Sequence, residues 1–188
     1  MSESKLTVLI LKLTLLTGIG LAVIQFLFNR SIWLDEAYLA LNIIRKSHFD
    51  LLKPLDYIQV GPVLFLQIEK LFSELIPDTE FGLRLFPLIC YVLSLLLFYK
   101  IIKTLLQNPY TIVFALSLFV FNTTLLYFSN EVKQYIVDVL VLTTIYFFVL
   151  RKNQKNLTYY FQLGLVGAIS IFLSNVAPII LCTVGYYL

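Results

Sequence analysis

Charge is what this sequence has least of. Asp, Glu, Lys and Arg supply 13% of its 188 residues against 60% that are hydrophobic, too little polar surface to enclose a water-soluble globule. Thiols and imidazoles are scarcer still. Two cysteines, Cys90 and Cys182, sit inside apolar runs, and the single histidine, His48, has no cysteine or second histidine beside it. That leaves no material for a disulfide framework and no Cys/His metal set. A glycine-rich phosphate loop is missing, which counts weakly against a nucleotide-sugar donor. An internal repeat is missing, which counts against a carrier built from repeated halves. Alternating strands of about ten residues, the mark of a membrane barrel, are missing too. Nothing points to a nucleic-acid partner.

What remains is apolar and long. Phe (16) and Tyr (12) are abundant and the mean hydropathy is +0.89, so the chain reads as an all-α, polytopic transmembrane bundle. Leu6 to Phe28 is a run of about 23 residues, enough to cross a hydrocarbon core about 30 Å thick. No small-residue cleavage signature ends it, so it reads as a retained span. Lys5 and Lys12 near its start suggest a cytoplasmic N-terminus. Further runs extend from about Gly82 to Ile102, Tyr110 to Phe128 and Gln134 to Leu150. The stretch from about Tyr159 to Leu188 is broken by Ser174-Asn175 and Pro178, giving a fifth span and a partial sixth. The stretch Ile58 to Ile76 resembles a span in hydropathy but carries Glu69, Lys70 and Glu74. Each such charge costs about 2.5–3.5 kcal/mol at mid-bilayer, so a helix lying on the membrane is expected instead. This count also returns Lys100, Lys103, Arg151, Lys152 and Lys155 to the cytoplasmic side, where cations belong. A crossing there would put all of them outside.

The first outer loop, residues 29–81, is then expected to hold two interfacial helices, the first over Ala37 to Lys46. At its head stand two adjacent carboxylates, Asp35 and Glu36, where a helix N-terminus stabilises negative charge by roughly 0.3–1 kcal/mol. Ionisable residues where a span meets water default to a functional reading. The same count puts the Ser129-Asn130-Glu131-Val132-Lys133-Gln134 loop and Arg84 on that side. Each has a plain alternative: a solvated helix start, an exposed Glu131–Lys133 pair, an arginine reaching to headgroups. Asp138 reads equally as a structural hydrogen-bonding partner or as pocket lining. Asn122-Thr123-Thr124 and Asn156-Leu157-Thr158 match the glycosylation pattern by chance.

The order of these stretches resembles a known family. A first span is followed by Trp33-Leu34-Asp35-Glu36-Ala37-Tyr38, then by Gln59-Val60-Gly61-Pro62-Val63-Leu64-Phe65, then by Phe81-Gly82-Leu83-Arg84-Leu85-Phe86-Pro87 and Ser129-Asn130-Glu131-Val132-Lys133-Gln134-Tyr135. This is similar to the polytopic lipid-linked sugar transferases of the GT-C class, the protein O-mannosyltransferase and aminoarabinose-transferase group. It departs from them at Gln59-Val60-Gly61-Pro62, where the family usually has Gln-Pro-Pro or His-Pro-Pro, and at Lys133, often Arg. The resemblance implies inverting transfer of a sugar from a polyprenyl phosphate to an acceptor hydroxyl on a glycan, lipid or protein. It assigns Asp35 as base, Glu36 as its supporting neighbour and Glu131 as the orienting acid. Lys133, Arg84, Gln59 and Tyr135 become the substrate-binding residues. No cofactor is required, and a divalent cation is optional. The implied place is a bacterial inner membrane with the acidic loops outside. Family members are much longer, so the chain is expected to be an N-terminal portion. A catalytically silent remnant or subunit is the alternative, and a carrier the less favoured one.

Overall fold

The computed structural model describes residues 3–76, 79–150 and 156–187. Among the described residues all regular structure is helical. Helix α1 (Glu3–Phe28) and helix α4 (Thr79–Leu105) are, among the described residues, the two long and apolar enough to cross a membrane. Between them lie α2 (Leu34–Arg45), a 3-10 turn at Asp50–Leu52, and α3 (Val63–Leu75). After α4 come α5 (Pro109–Val120), α6 (Thr123–Phe128), α7 (Tyr135–Leu150), α8 (Leu157–Leu173) and α9 (Ala177–Tyr187), of which α5, α7, α8 and α9 are shorter apolar helices.

Helix α4 is the axis. It packs on α7, α3, α1 and α5, and its Leu83, Arg84, Cys90, Tyr91 and Leu95 are all enclosed. A second cluster joins α7 to α8 and α9 through Val141, Ile145, Tyr159, Leu163, Ala177 and Ile180. Outward-facing side chains are apolar as well: Leu16, Ile24 and Leu27 on α1, Phe114 and Leu118 on α5, Phe161 and Phe172 on α8 are all exposed. Apolar belts on this scale are not tolerated by a soluble monomer and suit a bilayer.

Several expectations change in detail. The run from Tyr110 to Phe128 is not one helix: it breaks at Phe121–Asn122, and the Asn122 side chain accepts from the backbone N–H groups of Thr124 (3.0 Å) and Leu125 (3.1 Å) to start α6. A capping asparagine offers the backbone partners that a continuing helix would otherwise supply, so apolarity alone did not show the break. Asn156 caps α8 in the same way, which gives both sequon asparagines a structural role. Helix α3 starts at Val63, five residues later than its apolar run. Its buried residues are Phe65, Leu66, Glu69 and Lys70, while Leu71 and Leu75 are exposed. A helix packed in a soluble core would hide the leucines; one facing lipid has no reason to. Glu69 is wholly enclosed with neither oxygen partnered, and burial pushes its carboxyl well above the usual range. The break at Ser174 occurs as expected, and the Ser174 hydroxyl donates to Asp138 Oδ1 at 2.6 Å, so Asp138 serves as a hydrogen-bonding partner. His48 spans Gln67 (2.6 Å) and Glu74 (3.4 Å). Arg151, Lys152 and Lys155, on which the cation count leaned, lie outside the described residues.

Where α3 meets α4, the contact leaves little room for a side chain at Gly82. A Cβ on Gly82 would sit 3.0 Å from the Phe72 carbonyl oxygen and 3.2 Å from the Ser73 Cα. Both are backbone atoms, which cannot swing aside. Gly82→Ala is therefore expected to destabilise the protein by roughly 1–3 kcal/mol, seen as a lowered Tm in detergent. An unchanged Tm would mean that α3 does not pack this closely.

Candidate active site

Helix α2 begins without a side-chain cap at Trp33, and Asp35 and Glu36 occupy its first turn. Neighbouring residues on a helix point about 100° apart. That angle sends the two carboxylates into different surroundings.

Glu36 turns inward and is 0% exposed. Its Oε1 accepts the Val132 backbone N–H at 2.9 Å. Arg30 Nη1 lies 3.4 Å from Oε2 and Arg84 Nη2 lies 3.8 Å from Oε1. Arg84 is itself fully enclosed and donates from Nη1 to Asn29 Oδ1 at 2.6 Å, while Asn29 donates to Glu80 at 3.1 Å. The Arg30 guanidinium covers the Tyr127 ring at 4.2 Å. Glu36 thus holds α2, α4 and the 129–134 loop together.

Asp35 turns the other way. Its Oδ2 lies 2.8 Å from Lys133 Nζ and its Oδ1 accepts from Gln59 Nε2 at 2.9 Å, while Lys133 Nζ also donates to Gln59 Oε1 at 2.8 Å. The three groups close a ring. The Asp35 side chain keeps 40% of its surface open, against 7% for Lys133. The ammonium of Lys133, and then the Gln59 amide, hold the Asp35 carboxyl below the usual carboxylate range.

The loop supplying Lys133 is held by local hydrogen bonds. The Lys133 N–H returns to the Glu131 carbonyl at 2.8 Å, a three-residue turn. Asn130 Nδ2 bonds the Ser129 hydroxyl at 2.7 Å and reaches the Ala22 carbonyl on α1 at 3.4 Å. Glu131 is buried. One oxygen accepts from the Trp33 indole N–H at 3.1 Å and the other has no partner. Burial pushes the Glu131 carboxyl up, an effect the Trp33 bond offsets in part. Tyr135 is half-exposed at the head of α7, its ring 4.8 Å from that of Phe128.

Chain positions far apart in sequence are thus brought together: Asp35, Gln59 and Lys133 in direct contact, Glu36 and Arg84 behind them, Glu131 beside Trp33. Sequence reasoning passed over Trp33 as a partner of Glu131, Arg30 as a partner of Glu36 and Asn29 as a partner of Arg84. Their only signal was adjacency to the Asp-Glu pair. An apolar cleft of about 310 Å³ between α3 and α8 is lined by Val63, Leu64, Gln67, Ala168, Ile169 and Phe172, and Val63 follows four residues after Gln59. Among the described residues no three of His, Cys, Asp and Glu converge as a metal set.

A family model described as dolichyl-phosphate-mannose-protein mannosyltransferase matches residues 60–188. The match takes in Arg84, Glu131, Lys133 and Tyr135 and begins just after Gln59, so Asp35, Glu36 and Gln59 lie before it. Neither a curated protein nor a solved structure matches the chain. With more than half of its length matched, this chain belongs to the dolichyl-phosphate-mannose-protein mannosyltransferase family, membrane-integral glycosyltransferases that draw on a lipid-linked sugar.

Proposed function

We propose that the chain carries the acid-bearing face of a transferase that moves a sugar from a polyprenyl phosphate to an acceptor hydroxyl, with inversion, at the outer membrane–water interface. The observation that carries this is the Asp35–Gln59–Lys133 ring: an ionised, partly open carboxylate beside a single ammonium. Asp35 takes the proton of the acceptor hydroxyl as the oxygen forms its bond to the anomeric carbon. The bond from that carbon to the phosphate oxygen breaks, and the electron pair leaves with the polyprenyl phosphate. Lys133 stands where a point charge meets that anion. Glu131, buried with its carboxyl pushed above the usual range, orients sugar or acceptor, with Tyr135 nearby. Enclosed Arg84 acts through Glu36 and keeps α2 in place. Glu36 is likewise a positioning residue, since it faces away from the open side. The apolar cleft beyond Gln59 suits the isoprenoid tail.

This reading takes five crossings and a partial sixth, with the N-terminus inside and the acidic loops outside, which places Lys100, Lys103, Arg151, Lys152 and Lys155 on the inner side with Lys5 and Lys12. A bacterial inner membrane fits this arrangement.

The test uses the complete natural protein in detergent, with dolichyl-phosphate mannose and undecaprenyl-phosphate sugars as donors and release of the polyprenyl phosphate as the signal. Acceptor-dependent release is expected. Solute movement across sealed vesicles with no covalent product would replace this reading with a carrier. The pH profile gives a second check. Because the Asp35 carboxyl is held low, base activity is present above the usual carboxylate range and is lost only as pH falls through that lowered value. Lys133→Ala removes the main cause, so the acid limb should move to higher pH. A limb that stays put would remove Asp35 from the role of base.

A further inference from the structure

One face of α2 meets the 54–62 loop contact by contact. Asp35 bonds Gln59, Tyr38 stacks on Tyr57 with ring centroids 4.8 Å apart and planes 9° apart, and Asn42 bonds the Asp56 peptide. Lys46 reaches the Asp56 carboxylate at 3.2 Å. These helix positions are spaced 3, 4 and 4 apart, one stripe along the helix, and they meet the loop in reverse order.

The Asn42 contact differs from the rest. The side chain is buried, and its Oδ1 accepts the Asp56 N–H at 2.8 Å while its Nδ2 donates to the Asp56 carbonyl at 3.2 Å and to the Tyr38 carbonyl at 2.8 Å. It therefore grips both polar groups of one residue as a paired strand would. The next two residues, Tyr57 and Ile58, have φ of 59° and 56°. A left-handed conformation is unfavourable for both, most of all for β-branched Ile58. Ile58 is 98% exposed and makes no side-chain contact that would stabilise it. Something must hold the turn, and the residue after it is Gln59, which bonds both Asp35 and Lys133.

We propose that Asn42 is a positioning residue for Gln59: its grip on Asp56 sustains the left-handed Tyr57–Ile58 turn and so sets the Asp35–Lys133 pair. This rests on the transferase reading for its effect on rate, but not for its effect on geometry. Helix α2 then carries both the base and, two turns along, the clamp that keeps the base's partner in register.

The test pairs two readouts on the full-length protein. Acylation of Lys133 by acetic anhydride, followed by mass spectrometry, reports the ring without any turnover. Asn42→Ala should raise it about tenfold, the protection that one net hydrogen bond provides. Gln59→Ala should do the same, and the double variant should add nothing further. In the transfer assay with dolichyl-phosphate mannose, Asn42→Ala should lower kcat by roughly 10–100-fold, as a misplaced catalytic group does, with KM for the donor little changed. That loss should vanish in the Gln59→Ala background. Asn42→Asp, which keeps the volume but sets an anion against two carbonyl oxygens, should behave like Asn42→Ala and covers the case in which the smaller side chain impairs folding. Unchanged Lys133 labelling in both Asn42 variants overturns the proposal, as does a loss that simply adds to that of Gln59→Ala. If the unmodified protein transfers nothing, the transferase reading fails, and the labelling alone decides the clamp.

Discussion

Asp35→Asn is expected to lower sugar transfer by roughly 10²–10⁴-fold, the range for losing a positioned general base. The substitution retains an oxygen that accepts from Gln59, and the site is partly open, so the fold should tolerate it. What disappears is the proton acceptor, together with the charge that holds Lys133 at 2.8 Å. The acceptor hydroxyl must then attack without giving up its proton to the protein. Binding of the lipid donor, which the proposed function assigns to Lys133 and the apolar cleft, should be retained, so the loss should appear in kcat with the donor's KM changed far less. Transfer at the unmodified rate would show that Asp35 is not the base, and Glu131 would be the next acid to substitute.

Glu36→Ala, one residue along, should produce the opposite pattern, a loss of folding and not of chemistry alone. Glu36 and Arg84 are both fully enclosed, and Arg30 Nη1 lies 3.4 Å from the same carboxylate. Removing the anion leaves a buried guanidinium uncompensated and the Val132 N–H without its 2.9 Å acceptor. Breaking one side of a buried ion pair costs about 3–5 kcal/mol, a large part of the 5–15 kcal/mol that a typical domain has in total. Yield from the membrane should fall sharply and Tm in detergent should drop. Glu36→Gln, which keeps an acceptor for Val132 but not the charge, should fall between. A Tm within a degree or so of the unmodified protein would mean that the arginines find other anions when Glu36 is gone.

These two predictions bear on what the sequence could and could not reveal. The Asp-Glu pair was legible as a site because charge is rare in this chain and stands at a span's end. Which of the two acids faces outward was not legible, since that follows from the roll of α2 about its axis, set by Leu39, Asn42 and Ile43 packing inward. Lys133 was legible as a cation near the second acidic loop. That it touches Asp35 instead of Glu131 depends on a three-residue turn with no composition signal. Arg84 looked like a headgroup or phosphate ligand, because a lone arginine at a span's end usually is; the Asn29–Glu80 pair and Glu36 enclose it.

Hydrophobic periodicity and charge cost, both local quantities, were enough to establish an all-helical membrane chain, the extent of α1, α4 and α7, the break at Ser174 and a helix within the Ile58–Ile76 run. The family's order of motifs was equally local. The tertiary structure alone decided the break at Asn122, the buried face of α3, and the meeting of residues 35, 59 and 133, along with the clamp of Asn42 on Asp56. Each of these depends on partners distant in the chain or on a side chain that replaces a backbone hydrogen bond. Neither leaves a trace in the spacing of apolar residues, because in lipid the apolar face of a helix need not be the one that packs.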